Sequence, residues 1–195
     1  YLVGFMFESK NKYFGRKKGK SFARLEQFQK FLAPPSKEFF KKIIKPRVLE
    51  IGIGDGEKIS ADAKLYREIN YIGCDIFADG VLRAIRNSKE NSLQNLFVFH
   101  LNIQDILPFI PAKYFDGIRV FFPDPWPKTK HKRRRTFNRE LVQSLNSKLK
   151  KNGYIHFATD HSDYFLDALV LLKDQGYRMD NISPNSWKYN EFNAL

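Results

Sequence analysis

Asp124 sits in Phe121-Phe122-Pro123-Asp124-Pro125-Trp126-Pro127-Lys128, which follows a strand-like apolar run and precedes the most basic segment of the chain. Three prolines within five positions exclude helix and sheet, because each lacks a backbone donor and restricts the residue before it. A carboxylate fixed on such a stiff loop at the carboxyl end of a strand occupies the place where open α/β sheets bind ligands. Two more acids end strand-like runs: Asp75 after Tyr71-Ile72-Gly73-Cys74, and Asp160 after Tyr154-Ile155-His156-Phe157-Ala158-Thr159. In a parallel sheet the three share one edge, where they can accept hydrogen bonds and stabilise a developing positive charge. Taken alone, Pro-Asp-Pro reads more readily as a turn with Trp126 as its packing anchor than as a site.

A second constellation sets the context. Val48-Leu49-Glu50-Ile51 is a buried-strand pattern leading into Gly52-Ile53-Gly54-Asp55-Gly56, and the helix that follows points its amino terminus at the same spot. In the dinucleotide fingerprint the third glycine comes three residues after the second. Here Gly56 comes two after Gly54, and Glu50 precedes the first. That spacing resembles the first motif of Rossmann-like methyltransferases that bind S-adenosylmethionine. Asp75, about twenty residues further on, is placed to accept both hydroxyl hydrogens of a ribose. Asn102, after the strand Leu96–Leu101, either holds an adenine amino group or makes a turn.

The positioning elements follow from periodicity. Leu25, Phe28, Phe31 and Leu32 predict a helix ended by Pro34-Pro35, and Phe39, Phe40, Ile43 and Ile44 a second stopped by Pro46. Ile59, Ala63 and Tyr66, then Val81, Leu82 and Ile85, mark the helices around the second strand. Gly117–Phe122 forms the fourth strand. Phe137, Leu141, Leu145 and Leu149 form a helix face with Gly153 as its stop, and Phe165, Ala168, Leu169 and Leu172 another closing at Gly176. Alternating strands and helices predict an α/β, Rossmann-like fold: a mostly parallel central sheet with helices on both faces. One domain is expected over 25–195, after a basic arm over 1–24 in which Tyr13 and Phe14 interleave with lysines and arginines.

Charge points to the partner. Thirty-four Lys and Arg against 21 Asp and Glu give a net charge of +13, which suits a polyanion, nucleic acid before membrane. Lys128 to Arg135 joins the proline loop to a helix, so Lys130, His131, Lys132, Arg133, Arg134 and Arg135 read as RNA-contacting rather than as a localisation signal on a tail. The single cysteine, Cys74, permits no internal disulfide and fits the reducing cytoplasm. No apolar run reaches the roughly 18 residues of a membrane span. His100, His131, His156 and His161 show no ligand spacing, so no metal is expected.

Phe-Pro-Asp-Pro-Trp-Pro-Lys at 122–128 with its basic sequel, the Glu50-led glycine turn and Ala158-Thr159-Asp160, in this order, resemble the bacterial tRNA (guanine-N7-)-methyltransferase family. The resemblance runs from about Phe14 to Tyr177. It implies transfer of a methyl group from S-adenosylmethionine to N7 of a guanosine in the tRNA variable loop. It would place Glu50, Gly52, Gly54, Gly56, Asp75, Asn102 and Asp124 at the cofactor, Asp124 also at the catalytic position, and Lys128 and Asp160 at the substrate. The family's terminal Thr-x-Tyr/Phe-Glu motif, which helps form the guanosine pocket, has its nearest counterpart in Trp187-Lys188-Tyr189-Asn190, without Thr or Glu. Ser186, Tyr189 or Glu191 then substitutes, or the chain is a divergent form with weakened activity. Two other readings fit the same residues: a methyltransferase for protein or small molecules, and an RNA-binding module that has lost catalysis.

Overall fold

Five apolar runs become the strands β1 (Arg47–Ile51), β2 (Asn70–Cys74), β3 (Leu96–Phe99), β4 (Phe115–Phe121) and β5 (Leu149–Ala158). The structure, a computed structural model, describes residues 34–44 and 46–179. The basic arm, the helix expected over 25–32 and the motif at Trp187 to Asn190 lie outside the described residues. All strand pairs are parallel, in the order β3-β2-β1-β4-β5. Between them run α1 (Lys37–Lys42), α2 (Glu57–Leu65), α3 (Ala78–Glu90), the short α4 (Ile103–Ile106), α5 (Arg139–Lys148) and α6 (Ser162–Asp174).

Burial explains the run-like strand sequences. On one face Leu49, Ile51, Ile118 and Val120 pack with Leu141 and Leu145 of α5 and Tyr164 and Ala168 of α6. On the other, Val48, Tyr71 and Val98 pack with Ile59 and Ala63 of α2 and Val81 and Ile85 of α3. Both faces are covered, so β1 is buried throughout and shows no polar alternation. This is the expected Rossmann-like arrangement. Among the described residues, no helix is long and apolar enough to cross a membrane.

Register carries the site. Ile51 pairs with Cys74 and Val120, and Phe121 with Ala158, so the carboxyl ends of β1, β2, β4 and β5 form one row. The chain order reverses between β1 and β4. That switch point is where such sheets open a ligand crevice, and the glycine turn and proline loop border it.

One expectation fails. Leu149 opens β5 instead of closing a helix face, and Phe137 precedes Asn138, whose side chain caps α5. Gly153 is not a helix stop. Between the pairs Phe115–Leu149 and Gly117–Tyr154 the strand β5 bulges, with Asn152 at φ +66°. A Cβ on Gly153 would lie 2.8 Å from the Leu149 side chain, so the glycine serves close packing within the bulge.

A buried charge cluster underlies α2. Arg119, 2% exposed, donates from Nη1 to Asp62 Oδ2 at 2.6 Å and stands 3.8 Å from Glu50 Oε2. Burial, opposed by Arg119, pushes the Glu50 carboxyl up to about 7. The folded state then keeps a proton that the unfolded chain releases near its ordinary value of 4.5. Stability therefore falls as pH rises between those two values, by at most about 1.4 kcal/mol per pH unit, and levels above them. Glu50→Gln removes this term. Denaturant titrations should show the difference in unfolding free energy between variant and wild type changing across pH 5 to 7; a constant difference would refute the shift.

Candidate active site

The glycine turn is tied to the end of β2 by two bonds. Gly52 N–H donates to Cys74 O at 2.9 Å, and Gly54 N–H donates to Asp75 Oδ2 at 2.8 Å. Gly54 has φ +57°, and a Cβ there would meet no atom within 4 Å, so the turn presents an open face. Behind it the packing is closed: a Cβ on Gly80 of α3 would lie 1.5 Å from Gly54 O. Gly80 belongs to the site although no motif marks it. Its signal in the sequence is a lone glycine inside a helical pattern, which weakens the helix and so calls for a packing reason.

Asp75 supports as well as faces the crevice. Its Oδ1 accepts from Phe77 N–H at 2.7 Å and its Oδ2 from Gly54, with Ile76 N–H a third backbone donor, which leaves acceptor capacity for a further donor. Burial raises its pKa, against the pull of these backbone donors. Asn102 caps α4, its Oδ1 accepting from Gln104 N–H at 2.9 Å, which is the turn role. Glu50 lies at the base of the turn, buried, and its Oε2 has no hydrogen-bond partner.

The proline loop hangs from a ladder bond in which Phe122 N–H donates to Ala158 O at 2.8 Å. Asp124 then projects exposed at the end of β4, and Asp160 is exposed just beyond the neighbouring β5. The structure thus gathers the glycine turn, Asp75, Asp124 and Asp160 along one edge of the sheet.

The basic run divides its labour. Thr129–Arg134 forms a 3-10 helix, leaving Lys128, Lys130 and Arg133 exposed. Arg134 lies over the Trp126 ring, 5.0 Å from its centroid, and His131 meets the same ring edge-on at 5.8 Å. Loss of solvent, then Arg134, Lys128 and Arg133, lower the His131 pKa. Lys132 pairs with Asp163 at 2.7 Å. Arg135 is a correction to the RNA-contacting set: it is 3% exposed and turned inward. Its Nε donates to Pro125 O at 2.7 Å, its Nη2 to Asp163 at 3.1 Å and its Nη1 to Asp167, with its guanidinium 4.5 Å from the centre of the Tyr164 ring. One planar fork thereby clamps the proline loop onto α6.

With this geometry in place, comparison with known proteins is decisive for the family. A family profile described as "Putative methyltransferase" matches residues 44–193. A tRNA (guanine-N(7)-)-methyltransferase of Thiobacillus denitrificans is 40% identical over 131 residues, 67% of this chain and 58% of that protein. The chain belongs to the bacterial tRNA (guanine-N7-)-methyltransferase family. Within the family's reach is also a "Bifunctional methyltransferase" of Rickettsia prowazekii, 36% identical over 172 residues, 85% of this chain and 33% of that one. The chain thus spans a third to somewhat over half the length of these relatives. The solved structure of an antibiotic-related methyltransferase matches with a TM-score of 0.59 at 22% identity, covering 77% of this chain and 79% of that one. That likeness shows the family's methyltransferase fold.

Proposed function

We propose that the chain transfers a methyl group from S-adenosylmethionine to N7 of a guanosine in tRNA, in the variable loop. The observation that carries the reading is Asp124 on a clamped proline loop at the β1/β4 switch point, followed by exposed cations. The site fits the cofactor. The open glycine turn admits it, Asp75 keeps acceptor capacity for a ribose hydroxyl, and Glu50 Oε2, which meets Arg119 only at 3.8 Å and accepts no hydrogen bond, is an acceptor for a donor such as an ammonium. Asn102 Oδ1, which caps α4 by accepting from Gln104 N–H, keeps a second lone pair for the adenine amino group. Bound there, the cofactor supplies an electrophilic methyl group.

Guanine N7 carries a lone pair and no proton, so the protein need supply no strong base. Its residues orient the base and place negative charge beside a purine that becomes cationic. Asp124 and Asp160 do this and accept hydrogen bonds from the N1 and N2 edge, while Lys128 meets the substrate backbone. Incorporation of labelled methyl into unfractionated tRNA tests the reading; label in protein alone would assign another substrate class.

The RNA surface comprises Lys128, Lys130 and Arg133, which are exposed. Each neutralised phosphate contributes roughly 0.7 to 0.9 to the logarithmic salt slope of binding. Replacing all three by alanine should therefore flatten the slope by roughly 2 to 3 and weaken tRNA binding. An unchanged slope would show that these charges only face solvent.

A further inference from the structure

The turn that carries Asp75 is gripped by a side chain from the neighbouring strand. Asp75 N–H donates to Phe99 O at 3.1 Å, continuing the pairing of β2 with β3 just past the end of β2. One residue further along each chain, the His100 side chain supplies the next link, Nε2 to Ile76 O at 3.0 Å. A carbonyl oxygen only accepts, so Nε2 carries the proton and donates. Burial lowers the His100 pKa, against the pull of the Ile76 carbonyl and the Asp75 charge, so near pH 7 the ring is neutral with its one proton on Nε2. The Ile76 carbonyl and the Phe77 N–H belong to one peptide unit, which is planar and stiff. That N–H donates to Asp75 Oδ1 at 2.7 Å. His100 therefore holds one end of a rigid plate whose other end aims the Asp75 carboxylate.

We propose that His100 is a positioning residue for the cofactor, which acts through the Ile76–Phe77 peptide to orient the Asp75 carboxylate for a ribose hydroxyl. This rests on the reading of Asp75 as the ribose ligand given above. A donor on the carbonyl also polarises the peptide, which strengthens the hydrogen bond that its N–H gives to Asp75. The Gly54 bond ties the same carboxylate to the turn after β1, and the His100 relay ties it to the end of β3. Since β2 lies between β1 and β3, the orientation of Asp75 is set from the strands on both sides. Asn102, the candidate for the adenine amino group, follows His100 by two residues, so the same link joins the ribose side of the site to its adenine side. An acceptor held in place before binding has less freedom to lose when the ligand arrives.

The test measures, by calorimetry, the binding of S-adenosylhomocysteine and of its analogue lacking both ribose hydroxyls to wild type, His100→Phe, His100→Asn and His100→Gln, with thermal unfolding in parallel. Phenylalanine keeps a flat ring without the donor and should weaken S-adenosylhomocysteine by about three- to tenfold, the weight of one neutral hydrogen bond. Asparagine keeps polarity but is too short to span to Ile76 O, so it measures the lost link a second time and should weaken binding alike. Glutamine can place an amide N–H where Nε2 stood and should bind within about twofold of wild type. The analogue cannot use Asp75, so its affinity should change by less than about twofold in every variant, the non-additivity expected of groups that act as one unit. Folded phenylalanine or asparagine variants that bind S-adenosylhomocysteine as tightly as wild type would overturn the relay. Equal weakening of both ligands, or glutamine as weak as phenylalanine, would do the same, since that marks general packing rather than action through Asp75. A wild type that holds the analogue as tightly as S-adenosylhomocysteine would instead defeat the ribose assignment of Asp75, and the relay with it.

Discussion

Asp124→Asn is expected to lower the proposed single-turnover methyl transfer to tRNA by about ten- to a thousandfold, the order associated with losing one preorganised electrostatic group. The substitution keeps size and most of the hydrogen-bonding capacity, exchanging one acceptor oxygen for an amide donor, so it separates charge from loop shape. The exposed carboxylate is held between Pro123 and Pro125 and makes no bond on which the fold depends, so thermal stability should change little. Cofactor affinity, measured by calorimetry, should change much less than the rate, because Gly54 and Asp75 remain bonded as before. Parallel loss of stability, cofactor binding and rate would make Asp124 a turn residue, and a wild-type rate would pass the principal role to Asp160.

Arg135→Met has a different signature. It leaves Pro125 O without its donor and Asp163 and Asp167 without their buried partner, while Lys132 still reaches both acids at 2.7 and 3.5 Å. Hydrogen bonds to charged groups contribute about 1.5–3 kcal/mol each, and the half-exposed acids recover part of that from water. A loss of about 2–3 kcal/mol in unfolding free energy is expected. The loop loses its clamp, and a displacement of about 1 Å at the reacting group lowers the rate about a hundredfold. The salt slope of tRNA binding should stay at the wild-type value, because this guanidinium does not face the RNA. A slope reduced by the same increment as at Lys130 would return Arg135 to the contacting surface. Arg135→Lys should recover little, since one ammonium cannot serve a carbonyl and two carboxylates in a planar fork.

Arg135 also shows where sequence reading stops. Six cations between Lys128 and Arg135 look alike in a sequence, and only the 3-10 turn decides that Arg133 faces out while Arg135 turns in. The acids that receive it, Asp163 and Asp167, lie about thirty residues away with no pattern linking them. By contrast, the edge bearing Asp75, Asp124 and Asp160 was legible because parallel strands must end together. The α5 to β5 boundary was not: Leu149 is buried in either conformation, so helical spacing continued through a residue that the β5 bulge places in a strand. Gly80 was missed because its reason is a carbonyl in another element. The strain at Phe122 and Trp126, with φ of +47° and +42°, is likewise invisible, since a proline after each predicts extended backbone.

The most direct measurement is the identity of the modified nucleoside. Unfractionated tRNA lacking the modification is incubated with the chain and S-adenosylmethionine, digested to nucleosides and resolved by mass spectrometry against standards. The geometry predicts 7-methylguanosine as the product, formed without a catalytic base. A methylated nucleoside at an exocyclic amine, a ribose hydroxyl or a pyrimidine carbon, with 7-methylguanosine absent, would contradict the account of Asp124 and Asp160 as charge and edge acceptors for a cationic purine.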